Sequence, residues 1–323
     1  MIRTFNHSMG QSPCAVLLPA LLGLWSCNRP PAPSSGDVPA VPAAKKEAPS
    51  PSLDAGGEVS AAEAEAEAEA EGAPPGLSED DLDVTARFPS GKVWTAKLKK
   101  ELDIQDVVCA AGTDVEFYES GRLKSAKLAH EQSFQGLPGL AWAGPTVGSG
   151  VGFYESGKLL YIGLAGDVTI DGAVWAGGTS VSFHENGRLR TGVLKDAHVF
   201  DGIPCAPSAT TRFHENGTLS DATLASKHVL VGETFEAGTE VYLTEDGTLD
   251  GVMLPRNKVV KSVPCEKLLW VKFYPGGALK QATLSKKFKL AGDTYRKGST
   301  LLFDESGNVE QNIPPKEPNG PKY

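Results

Sequence analysis

The residue types best suited to chemistry stand in a repeated phrase. "FHENG" occurs twice and sets His184 beside Glu185 and His214 beside Glu215, thirty residues apart. An imidazole next to a carboxylate can hold zinc or take up a proton. His198 and His228 share the same interval, so stacked copies of one unit would place equivalent histidines in rows. Other copies point to a plainer role. Tyr118, Tyr154 and Tyr274 fill the column of His184 and His214. A column that accepts phenol in place of imidazole reads as an exposed turn position, with no metal and no cofactor expected. No CxxC, HExxH or P-loop pattern occurs. Hydrolytic Ser–His–Asp sets are recognised by geometry. An envelope enzyme, with a cleft near residues 138–145 and the histidine turns, therefore stands as an alternative to the expected non-enzyme.

The elements that carry these residues repeat. A turn glycine falls at Gly91, Gly121, Gly157, Gly187, Gly217, Gly247, Gly277 and Gly307. Six of the seven intervals are thirty residues and one is thirty-six, the extra residues falling between Gly136 and Pro145. Two residues after each glycine comes Leu or Val; four before it comes Phe or Leu, except for Arg87 in the first copy. A small polar residue then Gly between apolar residues is a hairpin signal, either a type I′ turn or a type I turn with a G1 bulge. After the turn, a pattern such as "TLSDATL", a polar corner "ASKH" and then "VLVGETF" fit three strands of five to seven residues per unit. The expected fold is all-β: an eight-copy array over residues 87–312, built as an elongated antiparallel meander or β-solenoid. A closed ring or propeller-like arrangement is the alternative.

The turn phrases "YESGRL", "YESGKL", "HENGRL" and "HENGTL" resemble the hairpin turn of bacterial MORN-like repeats of the YwqK type. That resemblance implies stacked hairpins in a binding or scaffolding protein. It also implies, as an alternative, an antitoxin or immunity-like partner of a toxin.

The front of the chain reads as an address. "AVLLPALLGLW", Ala15 to Trp25, is an apolar run of signal-peptide length, too short to cross a bilayer. It ends in Leu24, Trp25, Ser26 and Cys27, which resemble a bacterial lipobox. The resemblance implies a signal peptide over 1–26, diacylglyceryl attachment at Cys27, and a lipid-anchored place in the cell envelope, outer membrane rather than inner. From Asn28 to Ala86 the chain is rich in Pro, Ala and Glu, with 3 basic against 13 acidic side chains. Such a stretch cannot bury enough apolar surface to offset ordering entropy, so 27–86 is expected to be a disordered tether and 313–323 a disordered tail.

The net charge of −9 conceals a division. Residues 256–297 carry 11 basic against 2 acidic side chains, whereas 87–255 carry 14 against 21. Lys258, Lys261, Lys286, Lys287 and Lys289 are the candidate anion-binding residues, for an acidic protein partner or an anionic glycan or lipid. A secreted, acidic chain without a nucleic-acid motif is not expected to bind nucleic acid. Cys109, Cys205 and Cys265 occupy one repeat column with Trp175, Phe235 and Tyr295. They read as core residues, too far apart in an extended array to pair. The expected protein is a monomeric, lipid-anchored binding or scaffold module.

Overall fold

The structure is a computed structural model that describes residues 72–144 and 150–315. The signal segment, Cys27 and the tether up to residue 71 lie outside the described residues, as do 145–149 and the tail from 316.

One unit shows how the sequence builds the array. Strand Ser180–Phe183 pairs with Leu189–Val193 across the turn "HENGR". The Gly187 N–H donates to the His184 carbonyl at 2.8 Å, and Gly187 takes a φ of +88°. The strand register shifts between Ser182 and Phe183. This is the type I turn with a G1 bulge, where only glycine enters the left-handed region without strain.

The chain then leaves the sheet for a small side hairpin, His198–Phe200 against Ile203–Cys205, and returns as Thr210–Phe213. The side hairpin turns on two residues, Asp201 and Gly202, with φ of 49° and 82°. Two consecutive positive φ values define the type I′ turn that suits strand twist. The expected three strands per unit are therefore corrected to four: two in the main sheet and two in the side hairpin. In "VLVGETF" the apolar run reads as one strand, but Val231 and Gly232 turn the chain back between His228–Leu230 and Glu233–Phe235.

Repetition yields a 16-stranded antiparallel sheet in chain order, with two-stranded side hairpins between successive pairs. The first and last strands, Leu82–Arg87 and Val309–Ile313, each have a single neighbour, so the meander is open and not closed into a barrel. Fifteen strand spacings give a length of roughly 70 Å. The sheet begins at Leu82, ahead of the expected boundary at 87. The segment before it is held too: Arg87 pairs with Glu79 at 2.9 Å, and the Val93 N–H donates to the Gly72 carbonyl. Arg87 thus replaces the phenylalanine of later copies with a capping ion pair.

The core lies between one face of the sheet and the side hairpins. Val181, Phe183, Leu189 and Leu194 are buried from the sheet, and Trp175, Cys205, Phe235 and Cys265 from the hairpins. Each such side chain contributes about 1.5–3 kcal/mol by leaving water. Cys109, Cys205 and Cys265 are free, fully buried thiols, as their column predicts. Burial pushes them up to about 12, about 11 and about 12 from the usual 9.0.

Within this layer, size is balanced between units. Trp175 lies over Gly192, where a Cβ would sit 2.5 Å from Trp175 Cε3. Gly139, in the tryptophan column, instead faces Ile162, whose Cδ1 would be 3.2 Å from an added Cβ. At the same register, Cys205 precedes Ala222 and Cys265 precedes Ala282, both alanines buried. The largest residue in the hairpin column, Trp175, is thus matched by glycine on the sheet, because a dense interior leaves no room for both to be large.

Candidate functional site: the turn ladder and the basic corner

The turn column has a structural role that the sequence reading missed. Tyr118 Oη donates to the Phe153 carbonyl at 2.9 Å, Tyr154 to Phe183 at 2.9 Å and Tyr274 to Phe303 at 2.8 Å. His184 Nε2 meets the Phe213 carbonyl at 3.0 Å, and His214 Nε2 meets the Leu243 carbonyl at 2.9 Å. A carbonyl only accepts, so Nε2 carries the proton in both rings. These five residues are thus half-buried, not exposed, and each ties its unit to the next, whereas Thr244 in the same column is exposed and bonds within its own turn. Asn186 and Asn216 add a second set, donating to the Glu215 and Glu245 carbonyls at 2.8 Å each. His198 and His228 open the first strands of successive side hairpins, and His198 packs against Phe200 at 4.6 Å. Among the described residues, no group of three His, Cys, Asp or Glu is arranged to hold a metal ion.

The ladder gives a direct expectation. His214→Ala should cost about 1 kcal/mol, the net worth of one such hydrogen bond. His214→Tyr, which restores the phenol of neighbouring copies, should recover most of it. Denaturant titration of the three proteins checks this; equal stability of His214→Ala and wild type would contradict the ladder.

The candidate lysines do not form one patch. Lys261 sits at a side-hairpin tip with φ 46°, and its Nζ donates to the Val231 carbonyl at 2.6 Å. Lys289 is exposed in the middle of Phe288–Leu290, and Lys258 is half-buried at the start of Lys258–Val260. Only Lys286 and Lys287 lie at a corner where the chain passes from sheet to side hairpin. Arg296 and Lys297 close the same corner, and Arg256 and Lys267 hold equivalent places in the preceding unit, all exposed. Each corner is closed by its own bonds: the Lys267 N–H donates to Asn257 Oδ1 at 2.9 Å and the Leu268 N–H to the Leu254 carbonyl at 2.9 Å in one, the Gly298 N–H to the Leu284 carbonyl at 2.8 Å in the next.

Two leucines stand among these cations. Leu268 is 62% exposed and Leu269 41%. Leu268 has φ 59°, in the column where Gly178, Gly238 and Gly298 have φ of 73°, 82° and 78°. A leucine held there costs about 1–2 kcal/mol relative to right-handed backbone, and its side chain gains no burial in return. Leu268 is therefore both strained and exposed. The signal was present in the sequence as "EKLL" against "EAGT" and "RKGS" in neighbouring copies.

No protein-family model matches the sequence, and no curated protein is significantly similar to it.

Proposed function

We propose that this chain is a lipid-anchored, non-catalytic binding or scaffold module of a bacterial cell envelope, and that the basic corner of its last units engages an anionic partner. The observation that carries the reading is the corner itself. Six exposed cations, Arg256, Lys267, Lys286, Lys287, Arg296 and Lys297, lie on the turns of two successive corners, and the first of these also carries the exposed Leu268 and Leu269. Cations draw an anionic surface over several ångströms, and the leucines add apolar contact once it is close. The turn histidines, committed to backbone carbonyls, support a scaffold in preference to a catalytic centre. The anchor rests on the lipobox-like Leu24–Cys27 and the acyl chains it would carry.

The test uses the native membrane fraction. Mass spectrometry of the mature N-terminus is expected to find an acylated Cys27, and Cys27→Ser to release the protein from the membrane. An intact Met1 or an unmodified Cys27 would sink the anchored reading. In the same fraction, Lys286→Glu with Lys287→Glu should lose partners that wild type retains at low salt. Retention unchanged by this double reversal would remove the corner as the contact.

A further inference from the structure

Among the described residues no element packs on the sheet face turned away from the side hairpins, and one stretch of it is built unlike the rest. Cross-strand register carries a row along this face: Arg212 opposite Asp221, Asp221 opposite Tyr242, Tyr242 opposite Gly251, and Gly251 opposite Lys272. Gly251 leaves a gap in the row, and Trp270 fills it. A Cβ on Gly251 would lie 3.2 Å from Trp270 Cε3 and 3.3 Å from Cζ3. The indole therefore rests against the backbone and leans on Tyr242, with ring centroids 4.2 Å apart. Lys272 Nζ is 5.4 Å from the indole centroid. Beside this platform lies a shallow depression of about 240 Å³, lined by Thr210, Arg212, Asp221, Thr223, Glu240 and Tyr242.

The polar groups there are already oriented. Arg212 Nη1 donates to Asp221 Oδ1 at 2.6 Å, and Tyr242 Oη donates to Glu240 Oε2 at 2.7 Å. Two cations and two carboxylates leave the site without net charge, so it selects no ionic class. Each carboxylate oxygen accepts more than one hydrogen bond, and the guanidinium keeps further donors. The depression is too open to enclose a small apolar molecule, whose sites bury most of the ligand surface. What fits is a ligand with C–H groups on one face for the indole, hydroxyls at its edge for the carboxylates and guanidinium, and no charge. That is the chemistry of a pyranose. The sheet runs on in both directions along the row, so a chain of pyranoses can continue across the strands. The same device recurs at Gly152, where the Tyr161 ring lies 2.2–2.8 Å from the place of a Cβ.

We infer that the Trp270–Tyr242 platform, with Arg212, Asp221 and Glu240, binds an uncharged oligosaccharide strand. This surface is separate from the basic corner, and neither depends on the other. The experiment is titration calorimetry of the full mature chain with chitohexaose and cellohexaose, with a heparin hexasaccharide as the anionic comparison. At least one neutral hexasaccharide should bind with a Kd of roughly 0.1–1 mM, little changed by high salt. Trp270→Ala should weaken it tenfold or more. Glu240→Gln, an isosteric change at an exposed residue that leaves the fold in place, should weaken it severalfold. Failure of both neutral hexasaccharides to bind, or binding unaltered in both variants, would overturn the proposal. So would binding of heparin alone, abolished by salt, which would assign saccharide contact to the corner.

Discussion

Trp175→Ala should remove about 3–5 kcal/mol of stability, the cost of deleting a buried indole and leaving a cavity. The ring is fully buried, stacks on Phe200 with centroids 6.2 Å apart and meets Phe213 edge-on at 6.2 Å. The more discriminating result concerns its partner. Gly192→Ala alone should cost about 1–3 kcal/mol, because the new methyl would sit 2.5 Å from Trp175 Cε3. Trp175→Cys alone should also be costly, since a thiol cannot fill the indole's space. Combined, Trp175→Cys with Gly192→Ala installs the Cys–Ala pair that three other units use at Cys109/Ala126, Cys205/Ala222 and Cys265/Ala282. The double variant should be clearly more stable than the sum of the single losses. Chemical denaturation of the four proteins closes the cycle. Strict additivity would show that the sizes of these two residues are not coupled.

The second large effect is alkaline. A thiol pushed above its unfolded value is neutral in the folded chain at a pH where the unfolded chain is already ionised. Its contribution is therefore whole below the unfolded value of 9.0. It is lost as pH rises toward the folded value, about 12 for Cys109 and Cys265 and about 11 for Cys205. In that window each thiol removes about 1.4 kcal/mol per pH unit. By pH 10.5 the three together should withdraw about 6 kcal/mol, comparable with the whole stability of many domains. Thermal melts from pH 7.5 to 10.5 should show wild type collapsing at the alkaline end. A Cys109→Val, Cys205→Val, Cys265→Val protein should follow a much flatter curve. Parallel curves for the two proteins would mean that the thiols do not set the alkaline limit.

Most of the architecture was legible because it is written locally. The period of the turn glycine, the apolar residues at fixed offsets and the small polar residue before each glycine specify a hairpin without reference to the rest of the chain. The side hairpins were not recognised. In "VLVGETF" a β-branched residue enters the left-handed region at Val231, φ 47°, against its own preference. The apolar run therefore masks the turn. Clearer copies, Asp171–Gly172 and Asp201–Gly202, carry the two-residue turn signal openly.

The surfaces divide in the same way. Net charge along the chain identifies the basic end, since counting needs no coordinates. Which cations share a face does not follow from counting. Lys261 is drawn to the Val231 carbonyl at a hairpin tip, while Lys267 and Lys287 lie on corners of successive units. The Trp270 platform depends on a glycine on the adjacent strand, nineteen residues earlier. Its meaning appears only once register sets Gly251 beside Lys272 and Tyr242. The sequence by itself determined the period of the unit, its number of copies and its antiparallel β character, because turn chemistry and period-two burial act over a few residues. Tertiary structure alone decided that the array stays open, which residues balance one another in volume, and which side chains share a face. Those depend on pairing between residues that the chain separates and only the sheet brings together.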